Sequence, residues 1–289
     1  MSLAMFFDKG VNSSVSCSLC PHNCKIPAGS RGLCGIRQNI DGQLWAIGYG
    51  LVSSLALDPI EKKPLFLFHP GKQVLSAGGY GCNLRCPFCQ NSDISLEYQK
   101  SLTSARYFSP EQIAGFAQDT AAKGNIGAAY TYNEPLTGYE FIYDCAKLVQ
   151  KAGLFNILVT NGYISPEPLK MLLPYIDAMN IDLKGFTDSF YQKLGGSLEP
   201  VKETIELSYR QCHLEITTLI IPGENDSETE IESLACWLAS LDPKIPLHLT
   251  RFFPRYKYAD RPPASRESVY RLCEIAQKHL GNVFTGNMG

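Results

Sequence analysis

The stretch "QVLSAGGYGCNLRCPFCQN", Gln73 to Asn91, decides how this 289-residue chain is read. Its first part, QVLSAGG, is apolar and closed by glycines, the pattern of a short strand running into a loop. Its second part sets three thiols, Cys82, Cys86 and Cys89, within eight positions and supplies no fourth beside them. A disulfide takes two cysteines, and a closed tetrahedral zinc site takes four ligands. Three thiolates suit a cubane iron–sulfur cluster with one iron left open. That open position is what a catalytic metal site needs and a structural one avoids.

From this strand onward, strand-like and helix-like segments alternate. Strand candidates are IGAAYTY (126–132), FNILVTN (155–161), AMNIDLK (178–184), LEITTLII (214–221) and LHLTRFF (247–253). Between them lie helical patterns at 109–124, 138–153, 166–174, 188–211, 228–240 and 266–280. The first has Ser109 as its cap and Pro110 at the first helical position, and the second is closed by Gly153. Six strand-then-helix units predict an α/β fold with a parallel sheet, and six are too few to close an eight-stranded barrel. Polar residues recur at the C-terminal ends of successive strands: the cysteine loop, Glu134, Thr160 with Asn161, Asp182 with Lys184, and Arg251. Barrel enzymes assemble their chemistry on that rim, so the expected architecture is a partial (βα)6 barrel over residues 73–289. Residues 1–72 lack the rhythm and are expected to form a small N-terminal cysteine-rich module.

That module carries Cys17, Cys20, Cys24 and Cys34 in the stretch CSLCPHNCKIPAGSRGLC. A CxxC pair followed by two more thiols predicts a closed four-thiolate staple, for zinc or for an auxiliary iron–sulfur cluster. The remaining cysteines, Cys145, Cys212, Cys236 and Cys273, are scattered through regular segments and read as buried thiols. Eleven cysteines without a secretory pattern point to metal binding in a reducing, cytoplasmic compartment. A formal charge of −2 gives no bias toward nucleic acid or an anionic membrane surface, and no apolar run is long enough to span a bilayer.

The cysteine loop, with Phe88 before its last thiol, resembles the cluster loop of the radical S-adenosylmethionine (SAM) superfamily. The resemblance implies a [4Fe–4S] cluster on Cys82, Cys86 and Cys89, with SAM chelating the open iron. It also implies reductive cleavage of SAM to a 5′-deoxyadenosyl radical, which abstracts hydrogen from a protein or small-molecule substrate. TYNEP at 131–135 resembles the family's Gly-Gly-Glu-Pro motif, with Glu134 at the acidic position and Tyr132 and Asn133 in place of the glycines. TNG at 160–162 and DLK at 182–184 resemble elements around SAM in glycyl-radical-enzyme activases. Asn83, Thr160, Asp182 and Lys184 are therefore expected at the cofactor site. LIIPGEND resembles an activase pattern too, but Thr217 stands where activases carry arginine. His248 and Arg251 are further candidates to reach the pocket. CSLCPHNC, DPIEKKPLFLFHPG and CQNSDIS extend the resemblance over nearly the whole chain, to AmmeMemoRadiSam-type proteins and pyruvate formate-lyase activating enzyme homologues. It implies an oxidoreductase with an electron donor such as flavodoxin or ferredoxin. The alternative is a zinc-stapled, non-catalytic binding protein on the same scaffold.

Overall fold

The computed structural model describes residues 1–99, 102 and 105–289. Its centre is an open eight-stranded sheet. In chain order the strands are β1 (Ser54–Pro59), β2 (Gln73–Gly78), β3 (Asn125–Thr131), β4 (Phe155–Thr160), β5 (Ala178–Asp182), β6 (His213–Ile220), β7 (Leu247–Arg251) and β8 (Val283–Gly286). Spatial order follows chain order, and β2 to β8 run parallel. Only β1 is antiparallel, with Ser54 opposite Gly78 and Pro59 opposite Gln73. The six expected strands are β2 to β7, and the partial barrel is what forms. Two edge strands were not foreseen. β8 is short and half-buried, without a long apolar run, and β1 lies within the segment expected to belong to the small module.

The strands are apolar on both faces because both faces are covered. Ile157, Leu158, Met179, Ile181, Ile216, Leu247 and Leu249 are all buried. Helices α1 (Pro110–Asp119), α2 (Tyr139–Lys151), α3 (Pro166–Leu172), α4 (Asp188–Lys193), α5 (Glu199–Ser208), α6 (Glu228–Leu241) and α7 (Arg266–Ala276) connect them. α1 starts with a full capping box, in which Ser109 accepts from the Gln112 N–H and Gln112 accepts from the Ser109 N–H. The single helix expected over 188–211 is two, α4 and α5. The break contains Gly195, in the left-handed region at φ 78°, and Gly196, where a Cβ would come within 2.7 Å of Leu84. Just before it, the Leu194 carbonyl accepts from the Arg85 N–H at 2.7 Å. The interruption thus gives the cysteine loop a backbone seat.

The N-terminal segment forms two three-stranded antiparallel sheets. One contains Phe7–Lys9, Val15–Cys17 and Lys25–Ile26, and the other Ser2–Leu3, Gln43–Ala46 and Arg37–Ile40. A buried ion pair ties this segment to α2, with Arg37 in a two-pronged contact to Glu140 at 2.7 and 3.0 Å. Glu140 also accepts from the Met5 N–H at 2.9 Å. Removing one partner of a buried pair strands the other's charge, at about 3–5 kcal/mol. Glu140→Ala is therefore expected to lower unfolding free energy by about that amount, read from urea midpoints. A loss below about 1 kcal/mol, typical of an exposed pair, would show that the contact does not anchor the segment.

Candidate active site

Strand register brings the predicted polar residues to one edge of the sheet. Thr131 pairs with Gly78, Thr160 with Ile181, and Asp182 with Thr217, so the loops after β2, β3, β4 and β5 leave the sheet side by side. The cysteine loop follows β2. Its turn is set by Gly81, at φ 81°, where a Cβ would lie 2.5 Å from the Cys34 carbonyl oxygen. The Cys89 N–H bonds the Cys86 carbonyl at 3.2 Å, the Lys257 N–H bonds the Pro87 carbonyl at 2.9 Å, and Phe88 stacks on Phe190 with centroids 6.2 Å apart.

The three loop cysteines are free and partly accessible. Burial raises each thiol's pKa, that of Cys86 to about 12, and the thiolates further oppose one another's ionisation. Lys184 pulls Cys86 and Cys89 the other way. The Cys82 sulfur faces the Leu84 N–H at 3.4 Å and the Asn161 side-chain amide at 3.7 Å. These contacts favour the thiolate once a metal takes up the charge.

Glu134 is buried directly beyond β3. Its carboxylate accepts from the Thr160 hydroxyl at 2.7 Å, the Asn161 N–H at 2.7 Å and the Leu136 N–H at 3.0 Å. Burial raises its pKa to about 7 despite these donors, so near neutrality it is poised between charged and neutral. Asn161 joins this group to the cysteine loop. Besides its contact to Cys82, its side chain donates to Asn83 Oδ1 at 3.0 Å and accepts from the Tyr163 N–H at 2.8 Å. Asn83 in turn donates to the Tyr163 carbonyl at 2.6 Å. Asn161 was expected on this rim beside Thr160 but was not among the predicted cofactor residues.

The motif's two glycine replacements behave differently. Tyr132 adopts φ 74°, the left-handed backbone that glycine takes freely and that costs a larger residue about 1–2 kcal/mol. Its side chain turns away and is anchored, the hydroxyl donating to buried Asp58 at 2.5 Å and Lys63 Nζ lying 4.6 Å from the ring centre. Tyr132 thus brings its main chain, not its ring, to the edge. Asn133 braces the cysteine loop, accepting from the Gly79 N–H at 2.8 Å and donating to the Tyr80 and Gly81 carbonyls at 3.0 Å each.

Asp182 and Lys184 pair at 2.8 Å. Burial works against the lysine's charge, but Asp182 and Cys86 outweigh it and hold the ammonium well above its ordinary range. The loop after β6 supports this pair, with Asn225 donating to the Lys184 carbonyl at 2.7 Å. Opposite Asp182, the buried Thr217 hydroxyl has no hydrogen-bond partner among the described residues. His248 and Arg251 do not join the group. His248 is buried against Glu215 at 2.6 Å near the opposite ends of their strands, where Glu215 also accepts from the Phe66 and Leu67 N–H groups. Arg251 donates to the Ala264 carbonyl at 2.6 Å. An open pocket of about 440 Å³, lined by Gln90, Asn91, Phe253, Arg255 and Asn287, adjoins the cysteine loop.

The N-terminal thiols gather separately. Cys17, Cys20, Cys24 and Cys34 border one cavity, next to Asn83, whose carbonyl accepts from His22 Nε2 at 2.7 Å. Of the scattered cysteines, Cys145 and Cys273 are buried as expected. Cys212 is half-buried and Cys236 is exposed, because its position on α6 faces outward. Among the described residues no helix is long and apolar enough to cross a membrane.

Comparisons with known proteins agree with this geometry. An uncharacterized protein of Methanocaldococcus jannaschii is 42% identical over 292 residues, covering 100% of this chain and 86% of its own. The pyruvate formate-lyase-activating enzyme of Clostridium pasteurianum is 25% identical over 54% of this chain and 65% of its own. The crystal structure of Streptococcus suis SuiB superposes with TM-score 0.54 at 15% identity, over 73% of this chain and 48% of that one, and so shares the fold. The radical SAM superfamily model matches residues 77–235, from the end of β2 into α6, and includes every loop that builds the rim around Cys82, Glu134 and Lys184; the chain belongs to that superfamily.

Proposed function

We propose that this protein is a radical SAM oxidoreductase in which Cys82, Cys86 and Cys89 hold a [4Fe–4S] cluster and the neighbouring strand ends hold SAM. The donor set fits the group. Three free thiols in one braced loop leave one corner of a cubane without a protein ligand, and N–H donors and Lys184 stand ready for the anionic assembly. When bound, the cluster and SAM supply reductive cleavage of the sulfonium to methionine and a 5′-deoxyadenosyl radical.

The chain's own residues do the positioning. Glu134 accepts from the amino group of SAM through a charge-assisted hydrogen bond, its other contacts being to Thr160, Asn161 and Leu136. The backbone of Tyr132 and Asn133 shapes the wall beside that amino group. Asn83 and Asn161 fix the loop around Cys82. The Asp182–Lys184 pair and the free hydroxyl of Thr217 line the side toward β6, where they meet the polar parts of the nucleoside. Substrate approaches through the pocket beside Gln90, Asn91 and Arg255.

For the substrate, the likeness to an activating enzyme favours a polypeptide whose hydrogen is abstracted, with a small electron-transfer protein of the flavodoxin or ferredoxin class as reductant. Thr217, in place of the activase arginine, separates this pocket from one built for the usual glycyl-radical target. The observation that carries the reading is the convergence of Cys82, Asn161, Glu134 and Thr160 into one hydrogen-bonded group. The test is anaerobic incubation of reconstituted protein with SAM and dithionite. Equal amounts of 5′-deoxyadenosine and methionine are expected, and a fully reconstituted protein that forms neither would refute the reading.

A further inference from the structure

We propose that Arg255 sets the specificity of the pocket beside the cysteine loop, selecting a polypeptide segment that presents an anionic oxygen group, an acidic side chain or a phosphorylated one; this rests on the reading of that pocket as the substrate's entrance. The pocket has room for such a side chain, about 440 Å³, and is open to solvent. Its other lining residues, Gln90, Asn91, Phe253, Asn287 and Gly289, bring no charged side chain.

The Arg255 side chain makes no ion pair or hydrogen bond with any described residue, whereas neighbouring cations are engaged. Lys193 and Arg261 both hold Glu224, at 2.7 Å each, and Lys184 holds Asp182. Arg251 donates to the Ala264 carbonyl and lies 4.7 Å from the centre of the Phe253 ring. Glu97 acts on the Tyr256 phenol and does not belong to the lining. A planar guanidinium with five N–H donors matches a carboxylate or a phosphate in a two-pronged contact. A cleft lined by one sign of charge draws groups of the other.

The backbone holds Arg255 against the cysteine loop. Tyr256, next in the chain, is in the left-handed region at φ 51°, and the Tyr258 N–H closes the turn on the Arg255 carbonyl at 3.0 Å. A non-glycine residue keeps that conformation only where its surroundings fix it. Here the Lys257 N–H bonds the Pro87 carbonyl at 2.9 Å, and the Tyr258 ring lies 6.1 Å from that of Phe88. In the same lining, the Asn91 side chain donates to the Tyr132 carbonyl at 2.7 Å, so its oxygen is the acceptor left for a peptide N–H of the incoming segment.

The test needs no SAM cleavage. The probes are N-acetyl-glutamate N-methylamide, its uncharged glutamine equivalent and N-acetyl-phosphoserine N-methylamide, with affinities read by ligand-observed nuclear magnetic resonance. The unaltered chain should bind the glutamate probe about fivefold more tightly than the glutamine probe at low salt, and the difference should shrink as salt rises. Arg255→Gln should abolish the difference and Arg255→Lys should keep part of it. Lys257→Gln, which removes an exposed cation outside the lining, should leave it intact. Stronger binding of the phosphoserine probe than of the glutamate probe would assign the pocket to a phosphorylated segment, and weaker binding to an acidic one. Where an electron paramagnetic resonance (EPR) signal shows that the reduced cluster is present, the bound probe's lines should broaden. Absence of that signal would count against the radical reading alone, and the affinities would still decide the role of Arg255. Equal binding of charged and uncharged probes by the unaltered chain, a preference that survives Arg255→Gln, or sharp lines in the presence of the reduced cluster would each overturn the assignment.

Discussion

Replacing Cys82, Cys86 and Cys89 together with alanine is expected to remove about four iron and about four sulfide per chain and to reduce SAM cleavage to background. The loss is large because such a cluster is held by thiolates, whereas the other side chains acting on these sulfurs include the Asn161 amide, the Lys184 cation and the carboxylates of Glu134, Asp182 and Asp93. The fold should survive, since the loop is seated by backbone contacts, Arg85 N–H to Leu194 and Lys257 N–H to Pro87, that alanine leaves intact. Chemical unfolding of the triple variant should accordingly stay cooperative. Undiminished 5′-deoxyadenosine formation from the variant would place the chemistry elsewhere.

Glu134→Gln is expected to weaken SAM binding about 10- to 100-fold while leaving iron and sulfide content unchanged, since a hydrogen bond to a charged group is worth about 1.5–3 kcal/mol. The glutamine also turns an amide donor toward N–H groups that the carboxylate accepts, those of Asn161 and Leu136. A pH dependence follows from the same residue. Burial raises the Glu134 pKa to about 7, so the carboxylate is present above that value and lost below it. SAM affinity should therefore be level above about pH 8 and fall by up to about tenfold per unit below pH 7. The amide that replaces the carboxylate in the variant has no proton to exchange there, and its weaker binding should be flat over the same range. A wild-type dissociation constant that does not change between about pH 6 and about pH 8.5 would contradict the assignment.

Much of this was legible in the residues, for identifiable reasons. Strand and helix positions from β2 to α7 were readable because parallel strands covered on both faces give unbroken apolar runs, and because Ser109, Pro110 and Gly153 punctuate the helices between them. The cysteine loop was readable because three thiols cannot be shuffled without losing the cluster spacing. What escaped notice depended on partners distant in sequence. β1 is a strand only because β2 offers it an edge, and the break between α4 and α5 holds Gly195 in the left-handed region and a Gly196 where a side chain would meet Leu84. His248 looked available until Glu215, from the neighbouring strand, took it up. Tyr132 looked like a departure from a glycine motif, yet Asp58, 74 positions earlier, anchors its hydroxyl while the main chain adopts the glycine-like turn.

The central claim is a cluster held by three thiolates whose fourth iron is left for SAM. Titrating SAM into the reduced, reconstituted protein while recording its EPR spectrum tests this most directly. The account predicts that the signal of the Cys82–Cys86–Cys89 cluster, absent from the triple-alanine variant, changes saturably with SAM. A signal from those cysteines that stays fixed at saturating SAM would mean that no iron is open, and would contradict it.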